Sequence, residues 1–141
     1  MKVRITRIDK TLPLPEYHTE GAVAFDLYSR VDDTLAPKEK KILPANFIVE
    51  VPKGHVLLIA ARSSTPKKGI MLPNGLGVID QDYHGPADEL GIFAYNFTDE
   101  PVAVKRGDRI AQALIVPIVK AEFEEVEKIK DESRGGFGST G

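Results

Sequence analysis

The chain contains no cysteine, which excludes disulfides, a zinc–thiolate centre and a cysteine nucleophile. It also lacks an excess of positive charge: 19 basic against 21 acidic residues leave a net charge of −2 and a pI ≈ 5.9. That balance argues against binding to polymeric nucleic acid, whereas a small anionic ligand needs only a local cluster of donors. Long apolar runs are missing, so no membrane span is expected. No apolar stretch follows Met1-Lys2-Val3-Arg4-Ile5, so no secretory leader is expected either. These absences together fit a cytoplasmic protein. Helical periodicity is scarce as well, since no window carries a clean helical stripe. What is present is a 141-residue chain with 42% apolar and 28% charged residues, enough for one domain with a real core.

Short apolar and β-branched runs recur along it, bounded by Pro, Gly, Asp or Asn. Strands are expected at 2–8, 24–29, 41–43, 47–51, 56–61, 77–79, 91–96, 101–104, 109–117 and 122–127. Turns are expected at Val31-Asp32-Asp33, Pro52-Lys53-Gly54, Thr98-Asp99-Glu100-Pro101 and Arg106-Gly107-Asp108. After Thr65 there is room for one helical turn at most, because Pro66 stands in it. Ten prolines and twelve glycines among such short strands predict an all-β sandwich, jelly roll or distorted barrel. Composition shifts near Lys130, dividing the chain into a β-domain, 1–129, and a glycine-rich segment, 130–141.

That segment carries Gly135-Gly136-Phe137-Gly138-Ser139-Thr140-Gly141 with Arg134 just before it. Glycines let backbone N–H groups converge on an anion, and Arg134 can grip phosphate oxygens with a planar fork of donors. Phe137 offers a flat face for a base. The segment reads as a flexible flap that orders over a nucleotide, or, more plainly, as a frayed Gly/Ser tail.

Four further clusters fall between or on the strands. Asp26 stands between Phe25 and Leu27 on a strand, where it could pair with an arginine to hold the sheet. Arg62, Ser63 and Ser64 end the most apolar strand and admit two readings, a helix cap or ST-turn and a phosphate clamp. From Asn74 to Gly85 an apolar strand, Gly77-Val78-Ile79, delivers Asp80 and Tyr83 with glycines on both sides. A carboxylate at a strand end can serve as a general base, and Asn74 can read the donor and acceptor edge of a base. A β-bulge hairpin with an acidic turn is the plainer alternative. Lys105-Arg106-Gly107-Asp108 is a tight turn feeding a strand that carries Gln112 as an amide donor.

The order of the five clusters resembles that of the trimeric dUTP diphosphatases (dUTPases) over nearly the whole chain. The matching runs are Ala24-Phe25-Asp26-Leu27, Ala61-Arg62-Ser63-Ser64, Gly77-Val78-Ile79-Asp80-Gln81-Asp82-Tyr83, Gly107-Asp108-Arg109-Ile110-Ala111-Gln112 and the glycine-rich segment. The resemblance implies a distorted jelly-roll subunit and a homotrimer with active sites shared between subunits. It also implies hydrolysis of dUTP to dUMP and pyrophosphate. Asp80 would hold and deprotonate the water that attacks the α-phosphorus, and Tyr83 would pack on the deoxyribose and exclude a 2′-hydroxyl. Asn74 and the backbone of Gly77, Val78 and Ile79 would hold uracil. Arg62, Ser63, Ser64, Gln112, Arg134, Gly138, Ser139 and Thr140 would hold the phosphates, with Phe137 stacked on the base. Mg²⁺ would bridge phosphate oxygens, with Asp26 acting on it through water or by orienting Arg62.

Three departures stand out. Ala61 and Ser64 replace the family's Pro and Gly, and an Arg-Ser-Ser run is what dCTP deaminases of the same fold carry. The deaminases' catalytic Glu, however, falls here on Phe93 and a further basic residue on Lys67, and they lack a run like Asp80 to Tyr83. The link 85–90 is a few residues longer than usual and adds Asp88 and Glu89, read as solvated loop acids or as a change in base recognition. Arg134 directly abuts Gly135, where the family has a residue or two more. Two other functions remain open beside the diphosphatase: a nucleotide-binding regulatory module, and a relative acting on dCTP and dUTP with a changed base pocket.

Overall fold

The computed structural model describes residues 1–138. Eleven strands form, all in antiparallel pairs: β1 (Ile5–Arg7), β2 (Phe25–Tyr28), β3 (Asp33–Leu35), β4 (Lys40–Pro44), β5 (Phe47–Val49), β6 (His55–Ala61), β7 (Ile70–Met71), β8 (Gly77–Ile79), β9 (Gly91–Asn96), β10 (Val102–Val104) and β11 (Arg109–Pro117). A four-stranded sheet in the order β2-β11-β6-β8 and a three-stranded sheet β4-β9-β7 carry most of the domain, with the pairs β1-β5 and β3-β10 completing it. The fold is a distorted jelly roll. Its core is mostly aliphatic, built on Leu27, Leu35, Leu43, Leu57, Ile59, Ile92 and Ile110 with the ring of Phe47 among them.

Alternation fixes which face each strand buries. In β9 the residues Ile92, Ala94 and Asn96 point inward while Gly91, Phe93 and Tyr95 are only half-buried. The buried amide of Asn96 is satisfied on both atoms. Its Nδ2 lies within hydrogen-bonding distance of the carbonyls of Leu35, Ala36 and Glu100, and its Oδ1 accepts from the amide and hydroxyl of Thr98. One side chain thus ties the end of β9 to the β3-β10 pair.

Two short strands arise where the local sequence does not announce them, and one announced strand is missing. Asp33 lies in β3 rather than in a turn, because β10 supplies a partner strand (Val104↔Asp33) and Lys41 sits 2.9 Å from its carboxylate. β7 exists because Ile70 pairs with Asn96 of β9. Residues 122–127 form no strand: they are exposed throughout, including Phe123, and no sheet edge of this chain pairs with them among the described residues. The expected helical turn is a 3₁₀ turn, Thr65–Lys68, closed by Gly69 at φ 81°.

The long connection between β1 and β2 is anchored by Asp9. Its backbone is held by the buried side chain of Asn46, whose Oδ1 accepts from the Asp9 amide and whose Nδ2 donates to the Asp9 carbonyl. Its carboxylate accepts from the Thr11 hydroxyl and from Arg106, at 2.6 and 2.7 Å. These bonds, that of the Thr11 hydroxyl foremost, lower the Asp9 pKa from 3.8 to about 2. Because the folded value lies below the unfolded one, the contribution is complete above about pH 4 and is lost as pH falls towards 2. Asp9→Asn should therefore lower the melting temperature by a constant amount above pH 5, and the gap from the parent should close towards pH 2 in a series of thermal melts.

Candidate functional site: a phosphate-side cluster and a base-side hairpin

The first half of the site is built at the end of β6. Beyond Ala61 the chain turns sharply: the Arg62 amide donates to the Thr65 hydroxyl, the Thr65 amide donates back to the Arg62 carbonyl, and the buried Thr65 hydroxyl donates to the carbonyl of Ile110. The turn is thereby stapled to β11. Ser64 stands at the cap position of the 3₁₀ turn but makes no side-chain cap; its hydroxyl accepts instead from Arg62 Nη1 at 3.0 Å. Thr65 makes the local backbone bond, so the Ser63 and Ser64 hydroxyls are not consumed by it.

Arg62 points at the buried carboxylate of Asp26, with Nε 2.6 Å from Oδ1. The other oxygen, Oδ2, faces Arg109 Nη1 at 3.2 Å and His18 Nε2 at 3.1 Å. Strand register brings this about. β11 lies between β2 and β6, so Gln112 is opposite both Asp26 and Ala60, and a register shift between Arg109 and Ala111 marks where β11 leaves even pairing with β2. Gln112 donates one amide hydrogen to the carbonyl of Ala61 at 3.0 Å, which leaves it one donor. Tyr28, next on the same face of β2, has its pKa pushed up by burial first and then by the negative charges of Asp26 and Glu16, so it stays neutral. One carboxylate therefore serves two guanidiniums, and the cluster keeps a surplus of positive charge. The structure brings Asp26, Arg62, Ser64 and Gln112 together; Ser63 is exposed on the same turn.

The second half is carried by β8. It pairs with β6 so that Gly77 faces Ile59 and Ile79 faces Leu57. A Cβ at Gly77 would lie 3.1 Å from Ile59 Cβ, so only glycine fits without displacing that core side chain. Asp80 follows at the end of the strand, exposed, lining a groove of about 430 Å³ with His55, His84 and Lys120 among its walls. The Tyr83 amide returns to the Asp80 carbonyl at 3.3 Å. At the start of β8, Asn74 is exposed in a turn that needs Gly75 at φ 72°, and its Nδ2 donates to the Leu76 carbonyl.

Asp80 and the Arg62 cluster do not meet within one chain. Asp80 lies just past the β8 residue opposite Leu57, whereas Arg62 follows Ala61 at the far end of β6. Six residues of extended strand separate those levels, roughly 20 Å. The glycine-rich segment joins neither half: Arg134, Phe137 and Gly138 are exposed, and Ser139 and Thr140 lie outside the described residues.

Two participants were not singled out from sequence. Arg109 lies within a recognised run, but only the geometry at the start of β11 turns it to Asp26. His18 carries no local signal. Asp88 and Glu89 are not solvated loop acids: Asp88 accepts from the Gly85 amide, and Glu89 forms a two-point ion pair with Arg30. Among the described residues, no three His, Cys, Asp or Glu side chains come together as a metal cage.

The dUTPase family model matches residues 10–141. The chain belongs to the dUTPase family. It is 41% identical to a deoxyuridine 5′-triphosphate nucleotidohydrolase of Anaeromyxobacter sp. strain Fw109-5, over 99% of this chain and 97% of that relative. Among solved structures, a glycine-to-serine mutant dUTPase of Staphylococcus bacteriophage 80alpha with dUpNHpp superposes with a TM-score of 0.85 at 26% identity, covering 99% of this chain and 98% of that one. The fold is also shared, with a TM-score of 0.81 at 24% identity and 91% and 98% coverage, by an aspartate-to-asparagine mutant dUTPase of phage phi11 of S. aureus, described with a structural Mg(II) ion.

In this dUTPase the Asp26 cluster offers a direct test. Arg62 and Arg109 are partly open to solvent, with 22% and 48% of their side chains exposed, so removing the carboxylate charge costs less than in a sealed core. Asp26→Asn should lower the unfolding free energy by about 2 kcal/mol, read from urea denaturation. The Arg62→Met change should cost less in that background than in the parent.

Proposed function

We propose that this dUTPase hydrolyses dUTP to dUMP and pyrophosphate, at sites completed between the subunits of a homotrimer. The observation that carries the assembly is the separation of Asp80 from the Arg62 cluster along β6. A carboxylate base and a phosphate-side cluster held roughly 20 Å apart in one chain serve one nucleotide only if a second copy supplies one of them. The exposed apolar side chains of Val119, Phe123 and Ile129, on a segment that pairs with no strand among the described residues, support contact between copies as well.

In this reading the hairpin of one subunit holds deoxyuridine. Asn74 and the backbone of Gly77, Val78 and Ile79 present donors and acceptors to uracil, and the Tyr83 ring lies against the sugar. Asp80 orients a water and takes its proton as oxygen bonds to the α-phosphorus; the bond from that phosphorus to the bridging oxygen breaks, and pyrophosphate leaves. A carboxylate is a weak base in bulk water, so the effect rests on positioning and on a site closed to solvent. A neighbouring subunit supplies Arg62, Ser63, Ser64 and Gln112 to the phosphates. Segment 130–141 closes the site, with Arg134, Gly138, Ser139 and Thr140 on the phosphates and Phe137 on the base.

Both oxygens of Asp26 are engaged by Arg62, Arg109 and His18, so its fit to Mg²⁺ is through water and through the orientation of Arg62. When bound, Mg²⁺ would supply charge neutralisation for the triphosphate. A free-nucleotide substrate and a chain without cysteine fit a cytoplasmic setting.

Pyrophosphate release with Mg²⁺ should be seen from dUTP and be at least tenfold slower from dCTP, dTTP and UTP. Turnover of dCTP at a similar rate would favour a changed base pocket. Asp80→Asn should lose at least a thousandfold in turnover while binding the dUTP analogue dUpNHpp within a few-fold of the parent; near-parental turnover would remove Asp80 as the base. Coexpressed Asp80→Asn and Arg62→Met chains, each inactive alone, should regain part of the activity in mixed trimers. Failure to regain any would argue against shared sites.

A further inference from the structure

The link 85–90, longer than the family resemblance requires, is bound into the domain rather than looped into solvent. Its first turn is closed by the Gly85 amide donating to Asp88 Oδ2 at 2.6 Å and by the Asp88 amide donating to the Gly85 carbonyl at 3.1 Å. A Cβ at Gly85 would lie 2.9 Å from that carboxylate oxygen, so a larger residue there would make the Asp88 side chain shift. Glu89 then points inward. Its carboxylate receives Arg30 Nε at 2.8 Å, Arg30 Nη2 at 3.0 Å and the amide of Asn46 at 2.8 Å. The pair is largely withdrawn from water, with 28% and 18% of the two side chains exposed. Both partners are themselves fixed: Asn46 is buried, and the Arg30 amide donates to the Pro44 carbonyl. On the other side of Glu89, Leu90 exchanges backbone hydrogen bonds with Phe47 and Ala45.

The peptide carbonyl of Glu89 is consequently held from both sides, and it accepts the hydroxyl of Tyr83 at 3.1 Å. With its amide on the Asp80 carbonyl and its hydroxyl on Glu89, Tyr83 is tied at both ends of the side chain. A charge-assisted, two-point pair such as Arg30–Glu89 fixes direction as well as distance. A ring that selects against one extra hydroxyl must be placed to within a fraction of an ångström, and that precision comes from supporting contacts.

We infer that Glu89, clamped by Arg30 and Asn46, is a positioning residue for Tyr83 and sets the discrimination between deoxyribose and ribose nucleotides. The inference rests on the proposed contact between Tyr83 and the sugar. When the clamp is loosened the ring can retreat, and a 2′-hydroxyl then finds room.

The test is the ratio of kcat/KM for dUTP to that for UTP, measured with Mg²⁺ on the full chain. Glu89→Ala should lower the ratio at least tenfold, with KM for dUTP rising more than kcat falls. Arg30→Lys keeps the charge but loses the fork, and should lower the ratio by a smaller factor. Tyr83→Phe, lacking the hydroxyl, should move the ratio in the same direction, and Glu89→Ala should add nothing further in the Tyr83→Phe background. Variants with native circular dichroism, lowered melting temperature and an unchanged ratio would reduce Glu89 to a structural residue and overturn the inference, as would additive effects in the double variant. Tyr83→Ala separates the two levels of the argument. If it collapses the ratio while Glu89→Ala and Arg30→Lys do not, only the positioning role fails. If it leaves the ratio unchanged, the sugar contact itself fails, and the inference with it.

Discussion

One buried carboxylate organises the cluster at the end of β6, the phosphate side under the proposed function. Asp26 meets side chains from three separate parts of the chain: the His18 ring before β2, and the guanidiniums of Arg62 after β6 and Arg109 at the start of β11. Without it two guanidiniums would repel each other, and each would have a solvent-screened choice of rotamers. With it both are directed to one place, and their combined charge still exceeds that of the carboxylate by one. Burying an ion is costly unless its hydrogen-bonding capacity is met, and here both oxygens are occupied. The arrangement depends on register, because a one-residue slip of β2 against β11 would turn Asp26 to the opposite face. The pairing of Asp26 with Gln112 therefore underlies the clamp as much as the charges do.

A second constraint is length. β6 is paired along its full span with β11, and this rigid pair acts as a ruler between the two half-sites. Asp80 is carried towards one end by the Leu57–Ile79 pairing, and the turn at Arg62 is fixed at the other through Thr65 and Ile110. Neither can swing to meet the other without breaking sheet hydrogen bonds, each worth about 1 kcal/mol net. Under the proposed function, sharing the site among subunits is a consequence of strand geometry rather than an added feature.

Much of the fold was legible because apolar runs bounded by turn-forming neighbours announce themselves; β6, β9 and β11 are of this kind. β3 and β7 were not, because they are too short to show a period and exist only where β10 and β9 offer an edge. The run 122–127 shows the converse: an aromatic and a β-branched residue among polar neighbours make no strand where none pairs with them among the described residues. In the site, residues within contiguous motifs were readable as candidates, since glycine, carboxylate and guanidinium at fixed spacing restrict the chemistry. His18 and the pair Arg30–Glu89 were not, because their meaning lies in contacts across 8 and 59 positions of sequence. Loop acids read as solvated were instead partners in a network, a distinction that composition does not carry.

If the nucleotide is held between copies of the chain, assembly and binding share one free energy. A ligand that touches the hairpin of one subunit and the clamp of another binds the assembled state in preference to the separated one, and by linkage it must stabilise the assembly to the same degree. The exposed apolar residues at 119, 123 and 129 would add a contribution independent of the ligand. The two differ in physical character. Apolar burial responds little to salt, whereas the clamp on a triphosphate weakens as ionic strength rises. Salt should therefore loosen nucleotide binding well before it loosens the trimer, and the clamp could open and refill while the subunits stay together.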